Sequence, residues 1–207
     1  MLKQPALAQA IASLRPQAVG FLGVGFRSVH LRHFSNLATV QPLHAAGGGL
    51  AGSRYVLPGG PASLYMAFDA DTAHREGNQV FYQTSAAPGG PALRKSGGLR
   101  PDPVVILGVF IDGSNLLDLT DSMVQQTLKL KKGALLGAWL GVTSAPTQVL
   151  GDAIFQDAHF AGIIYPSAQN PRHKCICVFP ARLNIPPLAT THVNFRDAPT
   201  GLAAHLP

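Results

Sequence analysis

The sequence is poor in charged residues and contains a single glutamate. Charged residues make up 13% of its 207 residues, and hydrophobic residues make up 46%. This composition excludes a fully disordered chain, because disorder requires low hydrophobicity and a high net charge. The length fits one domain with a sizeable core. The single glutamate is Glu76, since the other nine of the ten acidic residues are aspartates.

Cysteine is also scarce, and its placement argues against a disulfide framework. Cys175 and Cys177 alternate with apolar residues in CICVF, which is typical of a buried strand with both thiols on one face. Neighbours on one strand are poorly placed to bond each other, so we expect free thiols in the core and a cytoplasmic location. A structural zinc ion needs about four ligands. Because His173 is the one further ligand nearby, no metal site is predicted.

Long hydrophobic runs are absent as well. No stretch reaches the roughly 18 apolar residues that a membrane helix requires, so no membrane association is expected. The nine-residue run ALLGAWLGV has a length suited to core packing around Trp139. The chain also lacks a P-loop, a G-x-G-x-x-G motif and a G-x-S-x-G elbow. These absences remove the commonest signatures of nucleotide binding and of serine hydrolases.

The charge balance favours an anionic partner. Sixteen Lys and Arg residues against ten acidic residues give a formal net charge of +6 and a pI near 9.7. A nucleic acid, an acidic protein and a phosphate-bearing small molecule are all compatible with this sign. The basic residues are spread along the chain without a long basic tract. Direct binding to nucleic acid is therefore not expected.

Apolar periodicity predicts the elements of the N-terminal half. Residues 1–16 favour a short amphipathic helix that ends before Pro16. The segment 20–33 is rich in aromatic and branched residues and is typical of a first strand. The continuous apolar run 104–111 predicts a strand that is buried on both faces in the middle of a sheet.

Capping signals predict two later helices. Thr120 or Asp121 can cap a helix that runs through residue 128. Ser144 and Pro146 open the next helix, and Gly162 is predicted to end it. Strand-like segments follow, including the one with the two cysteines.

These elements predict a single α+β domain over residues 1–207, with a mixed β-sheet core and flanking helices. The core is expected at about 20–183, and prolines and polar residues predict an irregular tail over 184–207. The segment 85–103 is rich in glycine and proline. Such a segment is either a functional flap or a mobile surface loop, and we favour the surface loop.

Four chemically capable side chains lie within one short stretch of sequence. A strand, a turn, a strand and a helix capped by Asp69 could bring them together. The four side chains are Arg54, Tyr55, Tyr65 and Glu76.

These residue types suit cleavage of a glycosidic bond in a dinucleotide. A guanidinium group binds phosphate oxygens through paired, charge-assisted hydrogen bonds. Tyrosine rings offer flat faces to a base or a pyridinium ring, and a carboxylate stabilises an oxocarbenium-like centre. The alternative is structural: the arginine pairs with a carboxylate and the tyrosines pack with their hydroxyls in water.

Taken in order, the segments of the chain resemble the RES domain, a family named for its Arg, Glu and Ser. GSRY carries Arg54, LYMA carries Tyr65 eleven residues later, and DTAHRE carries Glu76 after eleven more. LLDLTD, PTQVLGDAIF and GIIYPSA follow in the family's order, and the last of these carries Ser167. The resemblance covers about residues 27–179.

The chain departs from the family pattern at two places. Gln169 stands where the family often has arginine after Ser-Ala, and the segment 85–103 looks like an insertion. The first departure could alter phosphate contacts or the fate of the cleaved product, and Asn170 or Arg172 could compensate.

The resemblance implies a fold similar to ADP-ribosyltransferases and an NAD+-consuming toxin of a bacterial toxin–antitoxin system. Arg54 would hold NAD+ through phosphate, Tyr65 would orient the nicotinamide or its ribose, and Glu76 would favour the cationic transition state. Ser167 would form a hydrogen bond near the nicotinamide, and Tyr55 would line the pocket. NAD+ is thus expected as substrate, without a metal.

The resemblance also implies a partner, a small DNA-binding antitoxin of the Xre/ParS kind that covers the active site. The acceptor of the ADP-ribosyl group stays open between water, phosphate and a protein. One alternative is therefore an ADP-ribosyltransferase that modifies a specific cellular protein. A second is a non-enzymatic interaction module that has lost turnover.

Overall fold

The computed structural model of the chain has the mixed sheet that the sequence predicts. It describes residues 2–30, 50, 52–79, 103–137, 139, 142 and 144–196. Within these residues six strands form one sheet in the order β1-β2-β5-β4-β3-β6, and β1 also pairs with β3. The strands are β1 Val19–His30, β2 Leu64–Ala67, β3 Val104–Asp118, β4 Gly162–Pro166, β5 Lys174–Val178 and β6 Leu188–Arg196.

The helices lie between these strands and before the first of them. Two short 3₁₀ turns, Arg15–Gln17 and Pro180–Arg182, accompany them. The α-helices are α1 Ala6–Ser13, α2 Ala70–Gly77, α3 Ser122–Thr127, α4 Lys132–Leu136 and α5 Pro146–Gln156. The prediction of an α+β fold is confirmed.

Strand β3 is the centre of the sheet. Its first part pairs antiparallel with β1 on one side and β6 on the other, whereas its last residues, Leu116–Asp118, pair parallel with β4. The other pairings in the sheet are antiparallel. The predicted buried central strand is therefore confirmed, and it extends beyond residue 111 to Asp118.

The strand that carries the cysteines separates two apolar layers. Cys175 and Cys177 are free, buried and on the same face as Tyr65 of the neighbouring β2. Ile176, between the two cysteines, and Leu64, next to Tyr65 in β2, belong to a second cluster on the opposite face. The prediction of two thiols on one face is confirmed, and this face also carries the candidate site.

Three of the predicted helix starts are also confirmed. Asp69 caps α2, and its carboxylate accepts a hydrogen bond of 2.8 Å from the backbone N–H of Thr72. Asp121, one of the two predicted caps, caps α3 in the same way. Pro146 occupies the first turn of α5, where its missing N–H has no helical partner to lose.

Two predictions about element boundaries are wrong. Helix α5 ends at Gln156 with Asp157 as its C-cap, well before Gly162, which begins β4 instead. The tail predicted to be irregular over 184–207 contains β6, which pairs with β3. The missed signal is the alternation of Thr191, Val193 and Phe195 with polar residues.

Several predicted segments lie outside the described residues. They comprise the end of the first strand at 31–33, the loop 85–103 apart from its last residue, and the chain end at 197–207. No helix in the described ranges is long and apolar enough to cross a bilayer.

Helix α5 packs against the backbone that carries the site, and a glycine permits this close approach. A Cβ atom added at Gly151 would overlap with the carbonyl oxygen of Tyr55. We expect Gly151→Ala to lower the free energy of unfolding by about 1–3 kcal/mol, because overpacking forces backbone shifts. Urea unfolding of the purified protein measures this change.

Gly133→Ala is the matched control. Gly133 also lies in a helix, α4, but an added Cβ would meet no atom within 4 Å. The alanine should be neutral or stabilise by up to about 1 kcal/mol through helix propensity. Equal effects of the two substitutions would contradict the packing of α5 on Tyr55.

Candidate active site

A cavity of about 240 Å³ lies on the face of the sheet that carries Tyr65. Three of the predicted site residues line it together: Arg54, Tyr65 and Glu76. The other residues of its wall come from β1, β2, α2, β4, β5 and the connecting segments, namely Phe26, Arg27, Ser28, Ser53, Ser63, Met66, Ala67, Ala73, Gly77, Gln79, Trp139, Tyr165 and Cys175.

Arg54 is held in a tight turn and is almost fully buried. Ser53 and Val56 close this turn through two backbone hydrogen bonds of 2.8 and 3.3 Å. The Arg54 guanidinium donates from one nitrogen to the carbonyl oxygens of Leu135, at 3.2 Å, and Gly137, at 3.0 Å. Both partners are neutral, so the positive charge is anchored without an opposite charge from any described carboxylate.

Tyr65 connects this turn to the sheet. Its hydroxyl oxygen accepts hydrogen bonds from the Ser53 hydroxyl, at 2.7 Å, and from the backbone N–H of Tyr55, at 3.1 Å. Burial raises the pKa of the Tyr65 phenol well above its usual value. The phenol therefore stays protonated at neutral pH and can donate a hydrogen bond, but it cannot serve as a general base.

Glu76 lies in the last turn of α2 and is bound by the loop that follows β4. Its Oε1 atom accepts hydrogen bonds from the Ser167 hydroxyl at 2.5 Å, the Ala168 N–H at 2.9 Å and the Gln169 N–H at 3.2 Å. Such charge-assisted bonds offset the cost of removing a carboxylate from water. Among the described residues none binds Oε2, which leaves this oxygen available to a ligand in the cavity.

The loop that holds Glu76 is itself fastened to the start of α2. The Asn170 side chain donates to the Thr72 hydroxyl at 3.0 Å. His173 Nδ1 lies 2.7 Å from Oδ2 of Asp69, the cap of the same helix. The loop is thus bonded to the start of α2 through Thr72 and Asp69 and to its last turn through Glu76, which orients the Glu76 carboxylate.

Ser167 does not line the cavity, although the resemblance placed it beside the nicotinamide. It is fully buried, and its oxygen also accepts from the backbone N–H groups of Gln169 and Asn170. Its contact with the cavity is through Glu76. Ser167 is therefore a residue that positions the carboxylate.

Tyr55, which was predicted to line the pocket, is not among the residues that line this cavity. It points into the core, where its ring lies 4.7 Å from that of Tyr165. Adjacent residues of a tight turn face different directions, and here Arg54 lines the cavity. Within the described residues Tyr55 contributes to the site through its backbone N–H, which binds Tyr65.

The wall residues that sequence reasoning missed include Arg27, Trp139 and Tyr165. Arg27 lies in β1, and burial lowers the pKa of its guanidinium. A charged residue inside an apolar strand is the signal that could have identified it. Trp139 is only half-buried and lines the cavity, so the prediction that it is the centre of core packing is wrong.

Of the described titratable side chains that line the cavity, Glu76 is the one that supplies a carboxylate, and the thiols nearby are neutral. Burial raises the pKa of the Cys175 thiol far above neutrality, and it raises the pKa of Cys177 behind it to about 12. Neutral thiols are poor nucleophiles. Glu76 is the one acidic residue in the described wall.

The part of the chain with known placement contains no cluster of three or more His, Cys, Asp or Glu side chains suited to a metal ion.

Comparison with known proteins identifies the family of the chain. The sequence model of the RES domain matches residues 26–196. The chain belongs to the RES domain family. The prediction of the family is thereby confirmed, and the matched region contains Arg54, Tyr65, Glu76 and Ser167.

A solved structure shares the fold of this RES domain. The toxin in the crystal structure of the M. tuberculosis MbcT–MbcA toxin–antitoxin complex superposes with a TM-score of 0.68 over 93% of both chains, at 16% sequence identity. The match confirms the single α+β domain. No curated protein matches the sequence.

Gln169, the position expected to depart from the family pattern, contacts the site through its backbone. Gln169 binds Glu76 through its backbone N–H, which any residue except proline supplies. The two residues considered as compensation do not line the cavity. Asn170 is engaged with Thr72, and Arg172 is exposed.

The network at the start of α2 predicts an acid-dependent stability. Burial raises the pKa of Asp69, but hydrogen bonds from Thr72 and the contact with His173 outweigh it and hold this pKa below its usual value. A depressed carboxyl pKa stabilises the fold above the unfolded value, and the contribution disappears as pH falls through the folded value. Asp69→Asn keeps the cap but removes this titration.

We therefore expect the difference in unfolding free energy between wild type and Asp69→Asn to shrink as the pH falls from about 5 to about 2. Urea unfolding across this range measures it. A difference that is independent of pH would show that the Asp69 charge does not stabilise the helix–loop junction.

Proposed function

We propose that this RES domain is the toxin of a bacterial toxin–antitoxin pair and that it consumes NAD+ by cleaving the bond between nicotinamide and ribose. The observation that carries the proposal is the meeting of Arg54, Tyr65 and Glu76 in one cavity, with the glutamate fixed by the Ser167 loop. These residues supply a cation, an aromatic donor and a single carboxylate, which is the set that such a reaction requires.

Glu76 has the role most directly supported by geometry. When the glycosidic bond breaks, nicotinamide leaves with the bonding electron pair and the ribosyl carbon becomes cationic. A carboxylate oriented in advance stabilises this charge without having to reorganise. Three hydrogen bonds orient Glu76 through Oε1, and Oε2 is the oxygen proposed to face the ribosyl carbon.

Arg54 and Arg27 are proposed to bind the phosphates of NAD+. Both line the cavity, and Arg54 is anchored through one nitrogen by backbone carbonyls. Because these carbonyls are neutral, the positive charge of Arg54 remains available to pair with an anionic ligand. Bidentate pairing with phosphate oxygens is the geometry that a guanidinium favours.

Tyr65 and Trp139 are proposed to contact the nicotinamide end. The protonated Tyr65 phenol can donate to an amide or ribose oxygen, and both rings offer faces to a pyridinium cation. The cavity of about 240 Å³ is smaller than sites that enclose a whole drug-sized ligand. It therefore suits one end of the dinucleotide.

The partner proposed for this chain is a small DNA-binding antitoxin that covers the cavity. The support is the family and the fold shared with a chain of a toxin–antitoxin complex. The net charge of +6 is of the sign that attracts an acidic segment of a partner.

Substitution of Glu76 tests the catalytic role. Glu76→Gln keeps the size and an oxygen for the loop but removes the negative charge. We expect the rate of NAD+ loss to fall at least ~10-fold with little change in thermal stability, since a transition-state contact is lost. Asp71→Asn is the matched control, because it makes the same change on an exposed residue of the same helix and should retain wild-type activity.

Product identification by mass spectrometry tests the reaction itself. Purified protein is incubated with NAD+, with and without phosphate and with added cell lysate. Free ADP-ribose identifies hydrolysis, ADP-ribose-1″-phosphate identifies phosphorolysis, and a modified lysate protein identifies transfer. Intact NAD+ in the presence of folded wild-type protein would overturn the enzymatic proposal and favour a non-enzymatic interaction module.

A further inference from the structure

Gln148 is a buried amide that the proposed mechanism does not use. It lies in the first turn of α5 and is 4% exposed. Its Oε1 accepts from the backbone N–H of Ala145 at 3.0 Å. Its Nε2 donates to the carbonyl oxygens of Ser53, at 3.0 Å, and Val56, at 3.4 Å.

These two carbonyls belong to the two ends of the turn that presents Arg54. One amide group therefore closes the turn from outside, while the backbone pair between Ser53 and Val56 closes it from inside. One helical turn further along α5, Gly151 contacts the carbonyl of Tyr55. The first turns of α5 thus form a platform against which the Arg54 turn is seated.

We infer that Gln148 is a positioning residue that fixes Arg54 for ligand binding by clamping the Ser53–Val56 turn to α5. A buried amide without its partners costs free energy, so the three hydrogen bonds favour one arrangement of the turn. Gln148 makes no contact with Glu76 among the described residues. Loss of the Gln148 amide should therefore weaken NAD+ binding more than it slows the chemical step. This kinetic expectation rests on the proposed function.

Gln148→Met tests the inference, because it keeps the volume of the side chain and removes all three hydrogen bonds. Gln156→Met is the matched control, being the same change at an exposed position of the same helix. We expect Gln148→Met to raise KM for NAD+ about 10-fold while kcat changes less than about 3-fold. Gln156→Met should change neither.

A double-mutant cycle separates positioning of Arg54 from a general loss of stability. If Gln148 acts through Arg54, the effect of Gln148→Met on KM should be much smaller in an Arg54→Ala background than in the wild type. Additive effects, or a fall in kcat with unchanged KM, would overturn the inference.

A readout independent of NAD+ turnover covers the case in which the proposed function fails. Trp139 is the single tryptophan of the chain and lines the cavity, two residues after the Gly137 carbonyl that binds Arg54. Displacement of Arg54 should therefore shift the emission maximum of Trp139 in Gln148→Met but not in Gln156→Met. Identical emission from both folded variants would refute the clamp, whatever the enzyme's activity.

Discussion

The hydrogen bonds between Glu76 and the loop after β4 are the interaction on which the candidate site depends. They join residues 91 to 93 positions apart in the chain, so they form only when α2 and the β4–β5 loop occupy their final places. A half-buried carboxylate without these donors would lose solvation by water and gain nothing in return. The contacts of Thr72 and Asp69 with the same loop make this junction cooperative.

The sheet explains why the two sides of the cavity meet. Strand β2 pairs with both β1 and β5, which places Tyr65 between the wall from β1 and the thiols of β5. Helix α5 packs on the opposite side of the Arg54 turn through Gly151 and Gln148. The candidate site residues therefore come from different elements: Arg54 from a tight turn, Tyr65 from β2 and Glu76 from the last turn of α2.

Sequence reasoning found the parts of the site that local spacing encodes. Arg54, Tyr65 and Glu76 lie close together in the chain, and the cap at Asp69 marks the helix that carries the glutamate. Arg27, Trp139 and Tyr165 were missed because they reach the cavity only through strand pairing and the packing of distant segments. The failure at β6 has a different origin, since the alternation of Thr191, Val193 and Phe195 with polar residues predicts a strand and was overlooked beside the prolines that precede it.

The charge distribution in the cavity distinguishes the proposed reaction from other chemistry that its residues could perform. Burial keeps the Cys175 thiol and the Tyr65 phenol protonated, so neither supplies an anionic nucleophile near neutral pH. Two guanidinium groups and one carboxylate remain. A ligand with anionic phosphates at one end and a centre that becomes cationic at the other complements this pattern. In NAD+ these two features are joined through the ribose whose bond to nicotinamide is proposed to break.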